Sequence, residues 1–479
     1  MDLKPSIKVR TLDGSEYDLT QDALNNLKMR LKGSLFLPGD AGYVESSNIW
    51  NAMISRKPAL VVRCLGVADV IACVKFSREH NLLLCIKGGG HNIAGLAIAE
   101  GALMLDMSLM RGVWVEPKAR IAHAQAGCLL ADVDRETQIH GLATVLGFVS
   151  QTGIAGLTLG GGFGYLTRRW GWTTDNVVGL DVVTADGRLV HASNDENADL
   201  FWGLRGGGGN FGVVTGIDYQ LYSVGPEIVG GFVAWPASEA LGVFNLFQSV
   251  AESAPDELTL VLIIRPAPPA PWIPKEYHGT PVAIIGACFS GEIEKGEKIV
   301  APIKSYGTSV GDVLVRRPYT QLQTLLDAAN PSGRRYYWKS EYLPGIGSDL
   351  GKKFIDSAGK IRSPYSAAIL FQLGDALKKG NDINSATGNR DARYILNLAS
   401  SWDNADADGE NIEWARQAWS DLRQFSTGGT YINFLTEDDG PERTQAALGK
   451  ELERLAEVKA KWDPENVFRI NRNITPARY

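Results

Sequence analysis

Apolar positions along this chain fall into two textures. Between residues 59 and 223, short apolar runs alternate with amphipathic stretches and with glycine clusters. Residues 59–66, ALVVRCLG, are valine-rich and predict a strand. In residues 67–81, Val67, Val70, Ile71 and Val74 recur at helical spacing. Residues 82–87, LLLCIK, and 103–107, LMLDM, predict two more buried strands. The alternation in 119–127 predicts a half-exposed strand, and 129–141 a short amphipathic helix ending at Gly141. Residues 177–193 predict a hairpin turning at Asp186-Gly187.

From about Ser223 the glycine clusters stop, and longer helices and strands alternate. Residues 236–255 predict a helix N-capped by Ser238. Residues 257–266 and 281–291 predict strands flanking the loop PAPPAPWIP. RRYYWKSEYL, 334–343, predicts an aromatic strand, and 391–404, DARYILNLASSWDN, a helix with a turn. A long helix is expected over about 442–462, stopping at Asp463-Pro464. In the 334–343 strand, alternation points Tyr336, Trp338 and Ser340 to one face and Tyr337, Lys339 and Glu341 to the other. With 479 residues, the chain exceeds a single core. The change at Ser223 is the expected domain boundary.

The 53 glycines matter because they cluster. GGGNFG, 207–212, matches the dinucleotide fingerprint literally. Yet a helical pattern precedes it and a strand pattern follows, the reverse of that motif. No glycine run leads into Lys-Ser or Lys-Thr, so a P-loop is excluded. IKGGGHNIAG (86–95) and TGIAGLTLGGGFG (152–164) remain. Glycine turns at strand ends expose N–H groups that hold phosphate without basic side chains. Tight turns between packed strands would explain one such cluster; two long ones favour a pyrophosphate-bearing cofactor. His91 stands at the end of its glycine turn, as a ligand, a base or an attachment point.

The formal net charge of −6 disfavours a nucleic-acid partner. No apolar run approaches the ~20 residues a membrane helix needs. The five cysteines are widely spaced without a C-x-x-C pair, and the remaining histidines lack ligand partners at metal spacing. A soluble, cytoplasmic protein without a metal is expected.

The motifs IKGGGHNIAG, TGIAGLTLGGGFG, LTRRWGWTTDNVVGLDVVTADG, DLFWGLRGGGGNFGVVT, and YINF followed by WDPENVFRINRNI occur in that order. Together they resemble the berberine bridge enzyme-like branch of the vanillyl-alcohol oxidase superfamily, from about Phe36 to Pro476. The resemblance implies an α+β, two-domain fold of the PCMH type. Its discontinuous FAD domain would comprise 1–222 and 436–479. An α+β substrate domain, an antiparallel sheet covered by helices, would comprise 223–435.

It further implies FAD contacts from Gly88, Gly89, Gly90, Asn92 and Gly95. Thr152, Gly153, Gly156, Gly161, Gly162 and Val214 would continue the FAD site, with Asn433, Asn471 and Asn473. His91 would bond the 8α carbon of the flavin. Val149 occupies the position where some relatives carry a second, cysteinyl link, so single attachment is expected. Tyr431 would be a catalytic base or hydrogen-bond anchor, with Lys339 supplying positive charge and Tyr336 beside it. The implied reaction is hydride transfer to FAD from a secondary alcohol or amine carbon of a small organic molecule, with O2 as acceptor and H2O2 as product. Flavin-dependent cyclisation or dehydrogenation with poor oxygen reactivity is the alternative. Asn389 and Arg472 depart from the family pattern, and Ile154 falls near the position that affects oxygen access.

Overall fold

The computed structural model describes residues 6–379 and 384–478, so the ends of the two expected outer segments lie outside the described residues. Among the described residues the first half builds a four-stranded and a five-stranded sheet, besides two two-stranded ones. In the four-stranded sheet, Leu60–Arg63, Leu103–Asp106 and Leu84–Lys87 run parallel, with Ser34–Phe36 added antiparallel at the edge. Parallel pairing requires a crossover. The helix Val67–Glu79 supplies it, burying Val70, Cys73, Val74 and Phe76. The five-stranded sheet is antiparallel, ordered Leu189–Ala192, Val177–Val183, Val213–Gln220, Ile121–Gln125, Val113–Glu116. Its hairpin turns at Gly187, whose φ is +76°. Leu448, Leu455, Val458, Phe468 and Ile474, near the C-terminus, pack into the same core as these sheets.

Residues 227–402 build one eight-stranded antiparallel sheet. Its central order is Glu227–Pro236, Pro281–Phe289, Leu258–Pro266, Ala367–Gln372, Tyr394–Trp402, Arg335–Leu343. One face carries Leu260, Leu262, Leu370, Leu396 and Leu398 against the helices Ala240–Ser253, Ser348–Ala358 and Asp408–Leu422. The other face meets the glycine-rich half, where Phe163, Trp172 and Tyr431 pack beside Val261, Ile263 and Phe371.

Three expectations are corrected. Tyr394–Trp402 is a nine-residue strand, not a helix. Its apolar residues mimic helical spacing because both faces are covered. Ser238 does not cap its helix: it lies in the turn Ala237–Glu239, and the α-helix starts at Ala240. The long C-terminal helix is broken at Gly449, φ +61°, into Pro441–Leu448 and Leu452–Trp462. No helix among the described residues is long and apolar enough to cross a membrane.

Candidate active site

A cavity of about 370 Å³ lies between the glycine-rich half and the open face of the large sheet. That volume is typical of small-molecule sites. The glycine turns at 88–90, 153–156 and 207–209 line it, as does the aromatic end of the sheet.

The first two glycine clusters exist because they touch. A methyl on Gly89 would come within 2.5 Å of Gly153 Cα, and one on Gly153 within 2.5 Å of Gly89 N. Gly160 is filled by Asn433: a methyl there would lie 2.3 Å from Asn433 Oδ1. Gly156 and Gly209 differ. Both line the cavity, yet a methyl on either would meet no protein atom. Neither position has a positive φ, so neither backbone shape nor packing requires glycine there. The absence of a side chain leaves cavity space free, as a closely held ligand backbone would need.

His91 follows Gly90, which has φ +66°, at the end of the Leu84–Lys87 strand. Its ring stacks on Trp50 at 4.2 Å, and Trp50 stacks in turn on Tyr336 at 3.6 Å. Its Nε2 is buried without a hydrogen-bond partner. Burial pushes the imidazole down to about 4, so it is neutral near pH 7 and keeps a free lone pair. Asn51 ties this loop to the sheet: its Nδ2 donates to Ile93 O and Tyr336 O, and its Oδ1 accepts from Tyr336 N.

Across the cavity, the Tyr431 hydroxyl accepts from Gly162 N at 3.1 Å and from Asn433 Nδ2 at 2.9 Å. Its own proton is therefore left to donate. Burial pushes the phenol up to about 12, and those two donors only partly oppose the rise. Tyr431 is held neutral.

The expected partnership of Lys339 with Tyr431 is corrected. Lys339 lies on the helix side of its strand and donates to Asp439 at 2.8 Å, Asp438 at 3.3 Å and Thr436 at 3.1 Å. Burial works to lower its affinity for the proton, but the Asp439 contact leaves it raised overall. The two-residue strand period that sends Tyr336 and Trp338 into the cavity wall sends Lys339 away from it. Tyr336 contributes its ring, while its hydroxyl donates to Pro331 O at 2.5 Å. Gly88–Gly90, Asn92, Thr152, Gly153, Gly156, Val214, Asn433 and Asn471 line the cavity. Gly95, Gly161, Gly162 and Asn473 are not part of its wall. Gly95 instead packs on Ile54, and Gly162 on Thr173. Ile154 is completely buried in the core, whereas Ala155 and Gly156 beside it reach the wall. Sequence reasoning missed Gly208, Gly209, Arg265, Asn397 and Ser401 as wall residues. The third glycine cluster, set aside as a dinucleotide motif, belongs to this site by a different route.

The sequence of residues 58–193 matches the family model described as FAD binding domain, and 430–475 that described as Berberine and berberine like. An FAD-linked oxidoreductase of Aspergillus terreus, pgmH, is 33% identical over 97% of this chain and 98% of its own. The chain belongs to the berberine bridge enzyme-like FAD-linked oxidoreductases. This oxidoreductase is also similar to (R)-6-hydroxynicotine oxidase of Paenarthrobacter nicotinovorans, 28% identical over 94% of this chain and 98% of that one. The solved structure of 6-hydroxy-D-nicotine oxidase from Arthrobacter nicotinovorans superposes with a TM-score of 0.82 at 28% identity, covering 93% of this chain and 98% of that chain. The two-domain PCMH-type fold and the enzymatic class follow from these matches. The cavity fits FAD on its own evidence: open space before Gly156 and Gly209, and an unpartnered Nε2 on His91.

Proposed function

We propose that this enzyme oxidises an alcohol or amine carbon of a small organic substrate, with dioxygen reduced to hydrogen peroxide. FAD would be held by one covalent bond, from His91. The observation that carries this reading is His91 itself, neutral and unpartnered at Nε2 in the cavity wall. A neutral imidazole has the nucleophilic lone pair that a carbon–nitrogen bond needs. Val149 lines the same cavity and has no thiol, which supports a single link. The same reading groups residues 1–222 and 436–479 as the FAD-binding part and 223–435 as the substrate part.

Bound FAD supplies a two-electron acceptor; the protein positions it and handles protons. The glycine turns and Asn471 would hold the cofactor. Tyr431, neutral and with its proton free, would donate a hydrogen bond to the substrate oxygen or nitrogen and so fix the reacting carbon. The stack of His91, Trp50 and Tyr336 would shield that end from water.

Acid precipitation tests attachment. Yellow colour should stay with the pellet of the parent and be lost from His91→Ala. Colour released from both proteins would overturn the covalent link. A substrate screen should then give one peroxide per oxidised product, and oxidation without peroxide would overturn the oxidase reading.

A further inference from the structure

Side chains of opposite kinds face each other across the sheet floor of the cavity. Register places them in rows. Ile263 pairs with Ile369, and Ile369 with Asn397. One row further along, Ala367 pairs with Ala399, and Ala399 with Trp338. The same step on the Leu258–Pro266 strand brings Arg265 to the end of that row. The row therefore reads Arg265, Ala367, Ala399, Trp338. Two small side chains make a trench between a guanidinium and an indole. Three strand spacings set its width at about 14 Å.

No Asp, Glu or Lys lines this cavity among the described residues. Of the two arginines that do, Arg472 donates to Leu435 O, Thr436 O and Asp439 O and has the carboxylates of Asp439, Asp438 and Glu437 around it. Arg265 also donates to backbone carbonyls, those of Pro266, Pro364 and Tyr365. Among the described residues no carboxylate pairs with it; the charged neighbour is Arg334, which lies over the Tyr365 ring and pairs with Asp403. Beside the trench, Asn397 Oδ1 and Trp338 Nε1 are buried without partners. A partly buried cation without a counter-ion needs one to offset its desolvation.

We propose that the trench binds the substrate through an anionic group, a carboxylate, paired with Arg265, with a flat apolar body lying over Ala367 and Ala399 toward Trp338. This rests on the oxidase reading for its chemistry but not for its binding. An ammonium substrate finds no carboxylate in this wall and is repelled by Arg265. Arg265 is thus a specificity residue, remote from Tyr431 and His91 in role.

The test uses the holoenzyme and three probes of one shape: 2-naphthoate, 2-naphthalenemethanol and 2-naphthylmethylammonium. Equilibrium binding is read by titration calorimetry and by perturbation of the flavin visible spectrum. The parent should bind naphthoate at least about tenfold more tightly than the alcohol, the worth of a charge-assisted hydrogen bond. It should bind the ammonium most weakly. Arg265→Gln should erase the preference while leaving alcohol affinity unchanged, and Arg265→Lys should restore part of it. Equal affinity for acid and alcohol in the parent, no saturable naphthoate binding at millimolar concentration, or a preference that survives in folded Arg265→Gln would each overturn the proposal. Should Arg265→Gln fail to fold, the Arg265→Lys protein and the parent's ranking decide. A protein with the acid preference but no substrate oxidation would sink the oxidase reading and leave the anion site standing.

Discussion

The cavity has two walls built on opposite principles. On the glycine side, recognition is by backbone. Chains cross so closely at Gly89 and Gly153 that no Cβ fits, and open space is kept by leaving side chains out at Gly156 and Gly209. On the sheet side, recognition is by side chain, with Arg265, Asn397 and Trp338 projecting from regular strands. The first wall suits a constant partner such as FAD, whose shape does not change between relatives. The second can vary one residue at a time without disturbing a ladder hydrogen bond, which suits a substrate that differs from enzyme to enzyme.

The sharpest break of this contrast is Gly89→Ala. Its methyl meets backbone rather than a movable side chain, so about 3 kcal/mol of stability should be lost. Thermal melts should show it together with loss of bound flavin. Gly209→Ala should melt as the parent does and weaken flavin binding alone. Equal melting of both variants would erase the distinction between packing glycines and space-keeping ones.

Lys339→Met separates the two faces of a single strand. Removing a buried cation from Asp438 and Asp439 should cost about 3 kcal/mol, read from denaturant melts. Turnover per bound flavin should stay close to that of the parent. A fall in turnover at unchanged stability would put Lys339 in the reaction after all.

Tyr431→Phe has the smaller effect on stability and acts on rate. Gly162 N–H and the Asn433 amide lose their acceptor, costing about 1–2 kcal/mol. Turnover should fall by roughly 10²-fold. Because burial raises this phenol to about 12, the native group stays protonated from neutrality through pH 10. The pH profiles of kcat/KM for parent and variant should therefore run parallel below about pH 10. A parent-only rise between pH 7 and 9 would make Tyr431 a base rather than a donor.

Most of the glycine wall was legible in the sequence, because clustered glycines announce a backbone requirement and His91 stands out against them. Its details were less so. Gly95 and Gly162 pack on Ile54 and Thr173, and nothing local separates them from the cavity glycines. The sheet wall was half visible. The alternation at 334–343 put Tyr336 and Trp338 on one face correctly. The strand Tyr394–Trp402 was hidden, since Ile395, Leu396, Leu398 and Trp402 are buried on two different faces and together imitate a helical period. With that strand misread, Asn397 and Ser401 had no reason to converge with Arg265, which lies more than 130 residues earlier. Such convergence is a property of strand order.

The Asn51 amide is a clamp between the His91 loop and the sheet. One side chain, 2% exposed, is bonded to the His91 loop at Ile93 O and to both backbone groups of Tyr336. Any sliding of the sheet against that loop must break this clamp at several points together. A ring anchored at His91 and a molecule resting on the sheet would consequently share one frame of reference. Their separation would be gauged by a single rigid amide plane, and thermal drift between the two halves of the molecule would reach the reacting atoms only after that plane had let go.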